Sequence, residues 1–211
     1  MRHITFQHEL KRLGVPLKTL RKIEHERTTQ RIVRESAKVV ILSSLISSLG
    51  GFGLESVQAK LVAFLPFLIL LPALNDMVGS FGATISSKFT TMLFMKKIHT
   101  HNWMHDPELK ALFMKVMTVG AITSLMMGAL AYGISLLRGF PFHWLILIEL
   151  LSVSLLATML LVLVLFAVSI IGGIYVHNRG HNPDNYLIPL TTAIGDLGGI
   201  LIITAVLLWL V

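Results

Sequence analysis

Five apolar runs constrain this chain more than any other feature. They lie at about 37–54, 61–89, 112–137, 145–176 and 187–211 and take up most of its 211 residues. Roughly 20 mostly apolar residues suffice to cross the hydrocarbon core of a bilayer. Lipid offers no partner to backbone N–H and C=O groups, so a spanning run has to satisfy them within itself, as a helix. The expected fold is therefore all-α: an integral membrane protein with five transmembrane helices. A basic cytoplasmic or interfacial segment over 1–36 precedes the membrane domain over 37–211. Composition agrees, with 54% hydrophobic residues, 14% charged residues and a mean hydropathy of +0.75. Soluble domains carry about 25% charge, so an ordinary soluble enzyme and a disordered chain are both excluded. The absence of Cys removes disulfides, thiolate metal sites and cysteine nucleophiles.

The net charge of +7 would point to nucleic acid in a soluble protein, but its distribution says otherwise. Ten of the 18 Lys and Arg residues precede residue 39. With the N-terminus inside, Lys88, Lys96, Lys97, Lys110, Lys115 and Arg179 join them on the inner side, leaving Lys60 and Arg138 outside. That is a strong positive-inside bias, with the C-terminus outside. The expected partner is the lipid bilayer and not nucleic acid, and the expected location is the cell membrane, crossed several times. Trp103, Trp144 and Trp209 fall near span ends, where interfacial aromatics belong. Residues 1–36 lack the apolar stretch of a secretory signal, so none is expected. Leu10, Leu13, Leu17 and Leu20 form an apolar stripe among basic residues, fit for a membrane surface or a partner helix.

Ionisable groups inside spans are costly and mark cavities or partners. Asp196 lies about ten residues into the fifth run, with Thr192 one turn earlier and Gly195, Gly198 and Gly199 around it. Glycines let another helix, or a hydrated ion, approach the backbone. The bland alternative is an Asp bonded to a hydroxyl of a neighbouring helix. Asp76 lies in the second run beside Asn75, four residues after Pro72 and ahead of Gly79, Ser80 and Gly82. Pro72 deprives a carbonyl of its helix partner, and the alternative here is a simple proline kink. Pro72 and Pro189 occupy loosely matching places in two runs of opposite direction, as in interrupted helices around a midplane site. Glu149 reads as an interfacial charge. His99, His101 and His105 cluster with Asp106, and His177 and His181 would stand one turn apart on a helix; transition-metal ligation is one reading, and irregular spacing without Cys favours the other, solvated loops.

At these two segments the chain resembles a known family. Leu-Pro-Ala-Leu, Gly-Ser and Thr-Ile-Ser-Ser-Lys-Phe-Thr-Thr, between Leu71 and Thr91, resemble the first signature of the MgtE-type magnesium transporters, closest to the eukaryotic solute-carrier branch. Asn182-Pro-Asp-Asn-Tyr-Leu-Ile-Pro-Leu-Thr-Thr-Ala-Ile-Gly-Asp196-Leu resembles the second. The resemblance covers residues 37–211. Ser80 stands where the family commonly has Asn, Asn182 replaces a usual Asp, and Asp76 replaces a small or apolar residue. The resemblance implies a homodimer with the ion path on its two-fold axis, lined by Asp196 of both subunits. With the reading of the residues themselves, the expected ion-binding positions are Asp196, Thr192, Gly195, Asn75, Asp76, Gly79 and Ser80, with Asp196 and Asp76 supplying the carboxylates. Bacterial members carry large cytoplasmic magnesium sensors. With about 36 residues ahead of the first run, regulation is expected from a separate cytoplasmic partner.

The expected function is a channel or transporter for divalent cations, Mg²⁺ foremost, with Mn²⁺ and other divalents as further cargo. Mg²⁺ is hard, octahedral and slow to shed water, so a few carboxylates hold it through retained waters. Two rivals share the same features. One is an H⁺- or Na⁺-coupled transporter of another substrate. The other is an intramembrane aspartyl protease, whose two carboxylates would share a proton; its motif order and span number fit this chain poorly. A subunit without transport of its own is a third.

Overall fold

The computed structural model describes residues 17–95 and 106–209, apart from the side chains of residues 17–28 and 31. Six helices follow one another: α1 (Leu17–Ser56), α2 (Gln58–Ala63), α3 (Leu65–Phe94), α4 (Pro107–Leu137), α5 (Trp144–Asn178) and α6 (Asp184–Trp209). There is no strand among the described residues. Five helices are long and apolar enough to cross a membrane, namely Ile32–Ser56 within α1 and all of α3, α4, α5 and α6. His99, His101, His105, Trp103 and the side chains of the stripe from Leu10 to Leu20 lie outside the described residues. The chain divides into two compact units between Lys38 and Val39.

The helix ends have local causes. Asp106 caps α4, its carboxylate accepting from the N–H of Glu108 at 2.9 Å and of Leu109 at 3.4 Å. Pro107 follows in the first turn, where its missing N–H costs nothing. α4 and α5 both end on a glycine in the left-handed region, Gly139 at φ +88° and Gly180 at φ +73°. Around each, two N–H groups turn back to the last carbonyls: Phe140 to Ser135 and Gly139 to Leu136, then His181 to Val176 and Gly180 to His177. This is the paired bond pattern of the Schellman motif. The short connection between α4 and α5 is pinned by Tyr132, whose hydroxyl donates to the His143 carbonyl at 2.8 Å and accepts the His143 N–H at 2.7 Å.

The expected interruptions at Pro72 and Pro189 do not occur, because both prolines sit inside continuous helices. Each removes one backbone donor, and the helix runs on through the remaining bonds. The break comes earlier, at Phe64 (φ −101°, ψ 73°), between α2 and α3. The second apolar run is thus two helices, with Pro66 in the first turn of the longer one.

α3 is central and packs against α4, α5 and α6, while α5 packs against both α4 and α6. The core is built from Phe67, Leu70, Leu74, Val78 and Ile85 of α3, Leu150, Leu161, Val162 and Leu165 of α5, and Ile203 and Leu207 of α6. Small residues bring the backbones together, as expected where lipid offers no hydrophobic drive between helices. A Cβ added at Gly128 of α4 would stand 2.8 Å from the Ser154 hydroxyl of α5. That hydroxyl donates across the seam to the Ser124 carbonyl at 3.0 Å.

A candidate cation site beside the seam of α3 and α6

α3 and α6 meet over the two sequence signatures. Gly79, Gly82, Gly195 and Gly199 supply the space. A Cβ at Gly82 would lie 2.9 Å from Thr191 Cβ, and one at Gly195 3.0 Å from Val78 Cγ1 and 3.6 Å from the Gly79 nitrogen. A Cβ at Gly79 would lie 3.3 Å from the Thr192 methyl. Gly199 leaves room for the Asn75 amide oxygen, which a Cβ there would strike. Asn75 Oδ1 is buried and takes no hydrogen bond from the described residues. Deeper in the bundle, Ser86 pairs with Ser169 at 3.0 Å and with Thr191 at 3.5 Å, so three helices share one buried hydroxyl cluster.

Asp196 is half-buried. Its Oδ2 accepts from Ser47 Oγ of α1 at 3.4 Å. Thr192, one turn earlier, gives its hydroxyl to the Ile188 carbonyl at 3.0 Å and so satisfies its own helix. At the start of α6, Asn182 Oδ1 accepts the Asp184 N–H at 3.2 Å. An amide oxygen thereby satisfies one of the first N–H groups of the helix, as a carboxylate would.

The free side of α3 is unlike that of its neighbours. From Pro72 to Thr91 its exposed residues are Pro72, Asp76, Ser80, Thr84, Lys88 and Thr91. Exposed positions on α4 and α5 include Met114, Ile122, Leu130, Ile148, Leu160 and Ile171, as lipid-facing surface should. A row of hydroxyls, a carboxylate and an ammonium in hydrocarbon would be costly. Near the N-terminal end of α6 this row opens into a groove lined by Ala83, Thr84, Ser87, Lys88 and Thr91 of α3 and Ile188 of α6.

The structure therefore sorts the candidate positions. Asn75, Gly79 and Gly195 form the packed seam, Thr192 and Asp196 border it, and Asp76 and Ser80 lie on the exposed row. No group of three His, Asp or Glu residues that could hold a bare metal ion occurs among the described residues. Glu149 is half-buried near the start of α5. His177 packs edge-on against Phe94, and His181 lies against Tyr186. Sequence reasoning overlooked Ser47, and it read Thr84, Ser87, Lys88 and Thr91 as part of the first signature, with Lys88 on the inner side, without placing them at the site. The α3 residues had a readable signal: polar types at four-residue steps from Asp76 through Ser80 and Thr84 to Lys88, inside an apolar run.

Comparison with curated proteins gave no match. Residues 71–206, which contain the whole α3–α6 seam and the exposed row, match the MgtE divalent cation transporter family. A multi-pass membrane bundle and a match across most of the chain agree, and this protein belongs to the MgtE family of divalent cation transporters.

Proposed function

We propose that this protein moves Mg²⁺ across the cell membrane as a homodimer. A hydrated ion is held between the Asp196 carboxylates of two subunits on the dimer axis. The observation that carries the reading is the exposed polar row on α3, next to a helix that presents a half-buried carboxylate at mid-span. Such a face is stable in a bilayer only against water or against another polar surface. A second copy related by a two-fold axis would enclose both rows in one aqueous path. Two carboxylates across the axis supply the charge of one divalent ion that keeps its water. Asp76 then lies on the outer side of Asp196, Ser80 and Thr84 line the path toward the inside, and Lys88 marks its inner mouth. Mn²⁺ and other divalents are competing cargo, and a separate cytoplasmic partner supplies regulation.

Asp196→Asn keeps the size and hydrogen-bonding capacity of the side chain and removes its charge. In proteoliposomes it is expected to reduce Mg²⁺ flux to background while the detergent-solubilised protein keeps its assembly state. Flux at the wild-type level in this variant would overturn the site.

A further inference from the structure

We infer that Ser47 of α1 is a positioning residue for the Asp196 carboxylate, an inference that rests on reading Asp196 as the ion site. Serine in a helix ordinarily gives its hydroxyl to a carbonyl of its own preceding turn. Ser48 does so, donating to the Ser44 carbonyl at 2.8 Å, and Ser56 to Gly53 at 2.6 Å. Ser47 instead reaches another helix, 149 residues away in sequence, and meets the one carboxylate at mid-span of α6. The contact belongs to a seam. A Cβ at Gly50 would meet the Ile200 side chain, one at Gly53 would lie 3.8 Å from the Thr204 hydroxyl, and Lys60 Nζ donates to the Leu207 carbonyl at 3.5 Å. Ser47, Gly50 and Gly53 of α1 thus meet Asp196, Ile200 and Thr204 of α6 in order, and Lys60 of α2 continues the line to Leu207.

Around Ser47 the exposed side of α1 is mostly apolar, with Ser44 and Ser48 as its polar members. Ile41, Leu42, Leu45, Leu49 and Phe52 are all exposed. Ser43, one turn before Ser47, is buried and its hydroxyl has no partner among the described residues, so the same narrow face is polar over two turns. The chemistry follows from the single bond. A carboxylate has several acceptor sites, and the Ser47 hydroxyl 3.4 Å from Oδ2 biases its rotamer while occupying one of them. The other acceptor sites can meet the outer water of a hydrated cation. A carboxylate already held in one orientation loses less freedom on binding.

The test uses the full chain in proteoliposomes, with Mg²⁺ as the only divalent ion, comparing Ser47→Ala, Ser47→Thr, Ser48→Ala and Asp196→Asn. Losing one hydrogen bond to a charged group is expected to raise the half-saturating Mg²⁺ concentration of Ser47→Ala roughly five- to tenfold. Its maximal flux and its unfolding temperature without Mg²⁺ should stay near wild type, which a merely structural role would not allow. Ser47→Thr, which keeps the hydroxyl, should restore the half-saturation, and Ser48→Ala should leave it unchanged. A Ser47→Ala half-saturation within about twofold of wild type, with Asp196→Asn inactive, overturns the role of Ser47 and leaves the ion site standing. An active Asp196→Asn overturns both.

Discussion

At the scale of single residues, the glycines of the α3–α6 seam separate into those that must be glycine and those that need not. Gly82→Ala would set a Cβ 2.9 Å from Thr191 Cβ, and Gly199→Ala would strike the Asn75 amide. Both are expected to destabilise the fold by about 1–3 kcal/mol, the usual cost of overpacking, seen as a lower unfolding temperature in detergent. Gly133, inside α4, has nothing within 4 Å of where a Cβ would stand. Gly133→Ala is expected to stabilise by about 0.5–1 kcal/mol, because alanine loses less backbone freedom in a helix. Asp196 and its glycines were legible in the sequence, since a carboxylate in an apolar run stands out. Ser47 was not. It is one of four serines at 43, 44, 47 and 48, and only the packing of α1 on α6 distinguishes the one that meets the carboxylate from the one that bonds its own helix.

At the scale of elements, the apolar runs gave the spans, and their ends were decided by polar groups outside the runs. α4 starts at Pro107, five residues before the apolar run, because Asp106 caps it. Asp106→Ala is expected to cost about 1 kcal/mol, visible as faster hydrogen exchange in the first turn of α4. The connection between α4 and α5 depends on Tyr132. Tyr132→Phe removes both bonds to the His143 backbone and is expected to cost about 1–3 kcal/mol in thermal unfolding. Proline misled the reading of α3. Pro72 looked like a break because it lacks a donor, but one missing bond in a helix of 30 residues does not end it. The observed break at Phe64 does have a sequence mark, Pro66 two residues later, because a proline without its N–H suits the first turn of a helix and not the interior.

At the scale of the whole molecule, the polar row on α3 sets apart one side of the bundle as unfit for lipid. The chain contains no Cys, so single cysteines report without background. Ser80→Cys and Thr84→Cys are expected to react with a water-soluble, membrane-impermeant thiol reagent in proteoliposomes, and Leu160→Cys on α5 to stay unlabelled. Equal protection at all three would show that the row is buried against lipid or protein and not against water. The sequence by itself determined the number of spans, the family and the central carboxylate. Each follows from local chemistry: the length of apolar runs, the cost of a charge in hydrocarbon, and glycines and prolines at fixed spacing. Tertiary structure alone decided which side of each helix is covered. A helix wraps every side chain around one axis, and only its neighbours determine whether Asn75 lies in the seam, Asp76 on the open face, and Asp196 within reach of a serine 149 residues away.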